Sequence, residues 1–501
     1  PASRKCARGP CAKVRPRPRP LVSSTPSTGT SSAATGATGT VNALFMKQAG
    51  YSEDHVRAMT TAFQTANPGA TINLEFVPYE ALHDKIVAAS AAGTYDLVLI
   101  DVIWPAEFAT KGLVTDITDR IPANWSNDVL AGALDSGLYQ GKYYAVPWLL
   151  DTKYFFANKD MLSKAGVDPT SLGTWDGVVA AAQSIKTKVG IKYPLIWSWP
   201  QTESVICDWA VLTASMGGKL FDDQGQPAFT SGGAVQSLEF MRKTIVDGIT
   251  NPSSTQSAED DVRKVISAGD AAMGLNWTYM YAAANDPKQS KVAGQITISP
   301  VPSGGTGQIS VNGSMAMAIT ASAQNPDAAW TFAQFLSSQK LQEQYVTDSL
   351  PIWKASYDNP EVVKSAPDVV AAAKVQLGQM VNRPQVANYN AVAGYGYLAP
   401  NGSQTTIGAA RPIVVGETGW KARELEILHL LAQGLTNSGI ASRLHLSQET
   451  VRWYNKQIFE KLGAANRTQA VQRASELDLL KGPERSNGSG KVKRSPVRCV
   501  S

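Results

Sequence analysis

The feature that most constrains the fold is an alternation of strand and helix patterns that begins at Val41. Apolar residues repeat with the periods of strand, helix, strand, helix and strand in turn. The segments are Val41–Met46, Ser52–Ala66, Thr71–Val77, Tyr79–Ala92 and Leu97–Ile100. This β-α-β-α-β order predicts a parallel sheet with helices on both faces, and the alternation continues to about Ala391.

Composition divides the 501 residues into five parts. Residues 1–40 are basic and then rich in Ser, Thr and Gly, which is typical of a disordered tail. Residues 41–396 carry the alternating patterns, and residues 397–419 have the Gly, Pro, Ser and Thr content of a linker. Residues 420–480 are wholly helical in pattern, and residues 481–501 form a second basic tail that we expect to be disordered.

Charge is distributed unevenly along the chain. Residues 1–40 carry seven basic and no acidic residues, and residues 401–501 carry fifteen basic and eight acidic ones. Because the net charge is +5, residues 41–400 carry −9. Basic ends on an acidic body indicate different partners for different parts, such as nucleic acid or an anionic membrane for the ends. Solvated tails are the alternative for residues 1–20.

Motifs of catalysis and metal binding are absent from the sequence. It contains no nucleotide P-loop, no HExxH and no GxSxG, and only four histidines. Its four cysteines form no CxxC pair, which argues against a zinc site or a disulfide scaffold. We therefore expect binding without catalysis, no metal and no cofactor.

A series of short motifs between residues 60 and 320 occurs in a defined order. They include Asn67-Pro68-Gly69, Ala92–Val98, Gly141–Trp148, Tyr154–Asp160 and Gly269–Gly274. This series resembles the family-one extracellular solute-binding proteins of ABC sugar importers, which are similar to maltose-binding protein. The resemblance implies an α/β, two-lobed, periplasmic-binding-protein-like fold of type II, which closes about a hinge on its ligand and docks on an ABC permease.

Tryptophan content points to a carbohydrate ligand, which we expect to be an oligosaccharide. Ten of the twelve tryptophans lie between residues 104 and 353, and sugar rings stack on aromatic faces while their hydroxyls need polar partners. The candidate stacking residues are Trp104, Trp148, Trp199, Trp277 and Trp353, of which we expect about half to touch ligand and the others to be core residues. The polar candidates are Asp101, Asp151, Asn312 and Arg383.

The helical segment 420–480 contains a second ordered set of motifs. Leu425, Leu428 and Leu431 share a helix face that Gly434 can end, and Thr436 and Ser447 can cap the next two helices. The segment resembles the LuxR-type helix-turn-helix, a small all-α four-helix domain that binds DNA, here through Thr436–Asn455. In that family the last helix, here Thr468 to about Leu480, supports a homodimer.

The third helix of this segment has two faces. Val451, Tyr454, Ile458 and Leu462 form an apolar stripe, which predicts a buried face. The remaining positions are typical of a recognition helix in the major groove. The candidate DNA-binding residues are Ser447, Thr450, Arg452, Asn455, Lys456, Lys461 and Arg467.

The two resemblances imply different compartments. Solute-binding relatives work outside the membrane, whereas LuxR-type domains act on cytoplasmic DNA, and the apolar core of a signal peptide is missing from residues 1–40. We also expect the linker to take the place of the closing helices that follow a segment like Arg383–Tyr389 in relatives. Three interpretations stay open: a carbohydrate-binding importer component with an added DNA-binding domain, a sugar-responsive cytoplasmic regulator, or a rearranged fusion in which one module functions.

Overall fold

The computed structural model describes residues 36–47, 50–200, 202–222, 228–387, 389, 422–444, 448–462, 464 and 466–476. The predicted linker, residues 397–419, lies outside this part of the chain, as do residues 1–35 and 477–501. The solute-binding part and the helical part are described below separately.

A five-stranded sheet forms the centre of the first lobe. Its strands are β1 (Gly39–Met46), β2 (Ala70–Val77), β3 (Leu97–Asp101), β6 (Val146–Leu149) and β11 (Met315–Ile319), in the spatial order β2-β1-β3-β11-β6. Strand β1 is parallel to β2 and β3, as the sequence predicts. Strand β11 is antiparallel to both neighbours, so the sheet is mixed. The antiparallel strand β11 enters this sheet from the second lobe, outside the β-α-β-α-β segment from which the parallel arrangement was predicted.

A three-stranded antiparallel sheet forms the centre of the second lobe. Its strands are β7 (Tyr154–Asn158), β8 (Met273–Asn276) and β9 (Ile296–Ser299), in the order β8-β7-β9. Two short ribbons accompany the main sheets. They consist of β4 (Leu138–Tyr139) with β5 (Lys142–Tyr143), and of β10 (Ser310–Val311) with β12 (Met380–Val381).

Helices cover these sheets. In chain order they are α1 (Glu53–Ala66), α2 (Tyr79–Ser90), α3 (Pro105–Thr110), α4 (Trp125–Asp128), α5 (Ala131–Asp135), α6 (Lys159–Ala165), α7 (Trp175–Lys188), α8 (Glu203–Ser215), α9 (Gly232–Val246), α10 (Glu259–Ala268), α11 (Tyr279–Asn285), α12 (Pro326–Leu336), α13 (Gln339–Glu343), α14 (Pro360–Ser365) and α15 (Pro367–Gln376). Helices α1, α2 and α12 pack on the first sheet, and α6, α10, α11 and α15 pack on the second. No helix among the described residues is long and apolar enough to span a membrane.

Three segments cross between the two sheets side by side. Residues 150–153 join β6 to β7, residues 300–314 join β9 to β11, and residues 377–383 follow α15. The Thr152 hydroxyl donates to the Val311 carbonyl at 2.8 Å, and the Asn312 amide donates to the Val381 carbonyl at 2.8 Å. These crossing segments are the hinge positions of a two-lobed binding protein.

The helical part of the chain has a separate apolar core. Its helices are α16 (Ala422–Ala432), α17 (Asn437–Leu444), α18 (Gln448–Leu462) and α19 (Arg467–Glu476). Ile427, Leu428, Val451 and Ile458 are fully buried in this core. Gly434 follows α16 with a φ of 85°, a left-handed conformation that favours glycine at the end of a helix.

Candidate functional site

A cavity of about 130 Å³ lies between the two lobes and takes its lining from both. The ends of β1 and β3 and the start of α2 contribute from the first lobe, and the starts of α8, α10 and α11 contribute from the second. The polar lining consists of Lys47, Tyr79, Glu80, Asp101, Asp151, Glu203, Ser204, Cys207, Glu259, Asp260, Trp277, Tyr279 and Arg383. Asp101 lies at the carboxyl end of β3, where α/β sheets place their ligands.

Arg383 links the two lobes at the floor of this cavity. Its Nη2 donates to Asp101 Oδ1 at 2.7 Å, and its Nη1 donates to Glu203 Oε1 at 2.6 Å. The hydroxyls of Tyr79 and Tyr389 donate to the same two carboxylates. Burial raises the pKa of Glu203, although Arg383 opposes that shift. The Arg383 Nε is buried without a partner among the described residues.

Lys153 is the centre of a second ionic cluster, and its side chain is fully buried. Its Nζ donates to Asp208 Oδ1 at 2.7 Å and to Glu259 Oε1 at 3.2 Å. The same Nζ lies 4.8 Å from the centroid of the Trp277 ring, within the range of a cation–π contact. The Trp277 indole N–H donates to Glu259 at 3.2 Å. These contacts hold one carboxylate and one aromatic ring in fixed positions at the cavity wall.

Asp151 lies in the first crossing segment, beside both clusters. Its Oδ1 accepts from the amide of Thr152 at 2.8 Å, and from the amide and hydroxyl of Thr278 at 3.2 and 2.6 Å. Burial raises the pKa of this carboxyl group to about 6, and the hydrogen bonds from Thr278 oppose the shift. The hydrogen bonds from Thr278 therefore tie the first crossing segment to the residue that precedes α11.

Four of the nine predicted sugar-binding residues line the cavity. They are Asp101, Asp151, Trp277 and Arg383. Trp277 is the single tryptophan of the lining, and it lies directly over Gly313, where a Cβ atom would come within 2.3 Å of its ring. The cavity therefore combines one aromatic ring with several hydrogen-bonding groups.

The other four candidate tryptophans do not line the cavity: Trp104, Trp148 and Trp199 are buried in the core, and Trp353 is partly buried against it. Trp104 stacks on Tyr79 behind the cavity wall, with 5.7 Å between ring centroids. Trp148 packs edge-on against Phe45, and Trp199 stacks on Trp197 at 5.3 Å. Trp353 packs against Trp125 and donates its indole N–H to the carbonyl of Ser337 at 2.8 Å. Large apolar rings are stabilised more by this burial than by exposure in a cleft.

Asn312 does not line the cavity, and its side chain bonds the crossing segments and the neighbouring helix α5. Its Nδ2 donates to the carbonyl of Gly132 and to Asn382 Oδ1, each at 2.8 Å. Its Oδ1 accepts from the amide of Ser314 at 2.9 Å. The structure thus gives this side chain a role in fixing the crossing segments.

Sequence reasoning missed several polar groups at the cavity, among them Glu203 and Glu259 in its wall and Lys153, which pairs with Glu259 behind the wall. Glu203 and Glu259 are the first residues of α8 and α10, where acidic residues are common for reasons of helix stability alone. A signal was present in Glu259-Asp260-Asp261, three consecutive acidic residues, two of which line the cavity. Among the described residues, no group of three or more His, Cys, Asp or Glu side chains is placed to hold a metal ion.

The second candidate site is the exposed face of α18. Arg452 and Lys456 are exposed on this helix, and Val451 and Ile458 are buried on the opposite face, as the sequence predicts. Trp453 is 50% exposed and packs edge-on against Tyr454. Thr450 is partly buried at the first turn. Ser447 and the side chain of Lys461 lie outside the described residues.

Two of the DNA-binding candidates make contacts inside the bundle. Asn455 is buried, and its Nδ2 donates to Asn437 Oδ1 at 2.9 Å. Arg467 donates from Nη2 to the carbonyl of Leu431 at 2.6 Å, where α16 ends. In this conformation both side chains tie helices together, and their contact with DNA stays a prediction. Thr436 accepts from the amide of Gly439 at 3.1 Å, so the predicted cap of α17 is confirmed.

The two lobes, the crossing segments and the cavity between them define a two-lobed ligand-binding protein of the periplasmic-binding-protein class. Residues 49–343 match the family model of bacterial extracellular solute-binding proteins, and the chain belongs to that family. Residues 422–474 match the model of bacterial regulatory proteins of the luxR family. The predicted family, fold and two-module organisation are therefore confirmed.

Known relatives and solved structures agree with this assignment. A "Probable ABC transporter-binding protein" of Deinococcus radiodurans is 27% identical over 313 residues, which cover 60% of this chain and 73% of the relative. The mannitol-binding protein of Pseudomonas aeruginosa is 23% identical over 292 residues, covering 57% of this chain and 66% of that protein. The maltose-bound MalE3 of T. maritima superposes with a TM-score of 0.65 at 28% identity, covering 71% of this chain and 92% of that one.

Proposed function

We propose that this chain binds a carbohydrate or a polyol in the cavity between its lobes and binds DNA through α18, without catalysis. The observation that carries the first part is the juxtaposition of Trp277 with Asp101, Asp151 and Arg383. A half-buried ring can stack on the apolar face of a sugar, and the carboxylates and the guanidinium can bond its hydroxyls. The names of relatives that bind maltose and mannitol support the same ligand class.

Titration calorimetry of the full chain tests the sugar-binding part. The probes are maltose, mannitol, ribitol and D-tagatose, and we expect saturable binding of at least one at a single site. Trp277→Ala should abolish that binding. Trp330→Ala is the matched control, because Trp330 lies on α12, contacts Arg120 and does not line the cavity. Equal loss in both variants would contradict the assignment of the ring to ligand binding.

DNA binding by residues 420–480 is the second part of the proposal. Its support is the luxR-family match over residues 422–474 together with the exposure of Arg452 and Lys456 on α18. Such a helix fits the major groove. Selection of bound duplexes from a random-sequence pool, followed by gel shifts with the selected duplex, tests it. Failure to enrich any sequence and to retard any duplex would contradict it.

A sugar-responsive regulator is a second candidate, and the presence of both modules in one chain favours it. If sugar and DNA binding are coupled, each ligand must change the affinity for the other by the same factor. The measurement is the affinity for the selected duplex with and without a saturating concentration of the bound sugar. Equal affinities for the duplex with and without the sugar would show that the two modules bind their ligands independently. Docking on a permease would belong instead to the importer role, and homodimer formation through α19 to the DNA-binding role, where light scattering tests the dimer.

A further inference from the structure

Negative charge exceeds positive charge in the interior of the cavity. Among the described residues, the buried carboxylates of the wall and of the layer behind it are Asp101, Asp151, Glu203, Asp208 and Glu259, and the buried cations are Arg383 and Lys153. With every group ionised, the interior carries three uncompensated negative charges. A buried charge without a counter-charge is costly, so a cavity of this kind favours a positively charged occupant.

The two cations do not remove this excess, because each is shared between two carboxylates. Arg383 pairs with Asp101 and Glu203 at 2.7 and 2.6 Å. Lys153 pairs with Asp208 and Glu259 at 2.7 and 3.2 Å. One negative charge therefore remains in each cluster. At the rim, Asp260 pairs with Arg263 and Lys264, so these two cations are engaged outside the interior.

Asp151 supplies the third negative charge and has no ionic partner within the described residues. Its three hydrogen bonds all go to Oδ1, so Oδ2 has no hydrogen bond to any residue that the structure describes. The residue is 8% exposed and lines the cavity. An unbonded carboxylate oxygen in so enclosed a place is an acceptor for a ligand.

The pKa directions agree with this charge count. Burial raises the pKa of Asp151 to about 6 and that of Asp208 to about 6, and it raises the pKa of Glu203. At neutral pH the first two groups are still mainly ionised. A bound cation would stabilise their charged forms.

The identity of the cation follows from the rest of the wall. The described carboxylates are not grouped so as to ligate a metal ion, and Trp277 and Tyr279 place aromatic surface next to Asp151 and Glu259. Aromatic rings beside carboxylates suit an organic ammonium group. We propose that the ligand of this cavity is a sugar or polyol that carries a protonated amine, with Asp151 Oδ2 as an ionic partner of that amine. This proposal rests on the proposed function.

Calorimetry with matched ligand pairs tests it on the full chain. D-glucosamine with D-glucose and D-glucamine with D-glucitol each differ by one amine in place of a hydroxyl, and unacetylated chitobiose with cellobiose differs by two. For at least one pair we expect the amine to bind about tenfold more tightly or better, which is the effect of one charge-assisted hydrogen bond. Equal or tighter binding of the neutral member in every pair that binds would overturn the proposal.

A charge-neutral variant tests whether Asp151 causes the preference for the amine. Asp151→Asn preserves the shape and the acceptor for Thr278, and we expect it to lose the preference for the amine, so that the ratio of the affinities for the two members of the pair falls to about one. Asp327→Asn is the control, because Asp327 is exposed and pairs with Arg120 at the surface. A preference unchanged in Asp151→Asn would overturn the role of Asp151.

The two proposals fail in different ways. Binding of neutral probes such as maltose or mannitol, with no gain from an amine, supports the proposed function and overturns the amine preference. Absence of binding to every neutral and amino probe overturns both. Binding of the amino members alone supports both.

Discussion

Arg383 and Asp101 form a buried ion pair, with 2.7 Å between Nη2 and Oδ1, although 282 residues separate them in the chain. The same guanidinium reaches Glu203 at the start of α8 in the other lobe. The last crossing segment therefore joins both lobes through one side chain at the floor of the cavity.

Replacing Arg383 should destabilise the protein. Arg383→Met leaves two buried carboxylates without their counter-charge, and removal of one partner from a buried pair costs about 3–5 kcal/mol. Urea unfolding followed by circular dichroism measures the loss. Arg120→Met is the control, because its partner Asp327 is exposed and such pairs contribute at most about 1 kcal/mol. Similar losses in both variants would mean that the buried pair adds little.

Adding one methyl group at Gly313 should weaken ligand binding more than folding. A Cβ at this position would lie 2.3 Å from the Trp277 ring, so the ring must move away from its place in the wall. We expect Gly313→Ala to lower the affinity for the bound sugar about tenfold or more. Gly173→Ala is the control, because nothing lies within 4 Å of its Cβ position. Unchanged affinity in Gly313→Ala would show that the position of the ring is unimportant.

The charge of Asp151 should make stability depend on pH. Its pKa is raised from 3.8 to about 6 in the folded state, so between these values the folded state holds a proton that the unfolded state has released. Stability therefore falls as pH rises through this window. The titratable groups that interact electrostatically with Asp151 are Lys153, Tyr154, Tyr279 and Tyr357. Burial raises the pKa of each of these tyrosines, so none of them ionises in this pH range.

Asp151→Asn removes this titration. The quantity to compare is the unfolding free energy of the variant minus that of the unmodified chain. We expect this difference to increase by up to about 3 kcal/mol from about pH 4 to about pH 7, because one pKa unit corresponds to about 1.4 kcal/mol. Unfolding in urea at a series of pH values measures it. A difference between the two proteins that does not change with pH would contradict the shift.

Arg452 and Lys456 should determine DNA affinity. Their replacement by alanine removes positive charge from the exposed face of α18, so binding of the selected duplex should weaken, and each lost phosphate contact should reduce the salt slope by about 1. Lys374→Ala is a charge-matched control in the solute-binding part. If the Arg452 and Lys456 variants have the same DNA affinity and salt dependence as the control, α18 is not part of the DNA-binding surface.

The apolar periodicity of the sequence predicted those helices and strands whose type depends on neighbouring residues in the chain. The strands and helices from Gly39 to Asp101 lie within two residues of their predicted bounds, because the apolar period records which face is buried. The position of β11 could not be predicted in this way. It joins β3 and β6 only after the chain has passed through the second lobe, and no local pattern carries that information.

The candidate site was predictable in part for the same reason. Asp101 was found because the carboxyl end of a strand is recognisable in sequence. Trp148 and Trp199 were indistinguishable from Trp277, because the burial of an aromatic ring depends on the packing of distant segments. Glu203 was missed because its buried partner Arg383 lies 180 residues away.

Hydrogen–deuterium exchange of the full chain, with and without its best-bound sugar or amino sugar, tests the central claim most directly. If the cavity between the lobes is the ligand site, protection should appear in both lobes and in the crossing segments, including residues 150–153, the start of α8 and residues 277–279. A ligand that binds but protects only one lobe, or only residues outside the cavity, would contradict it.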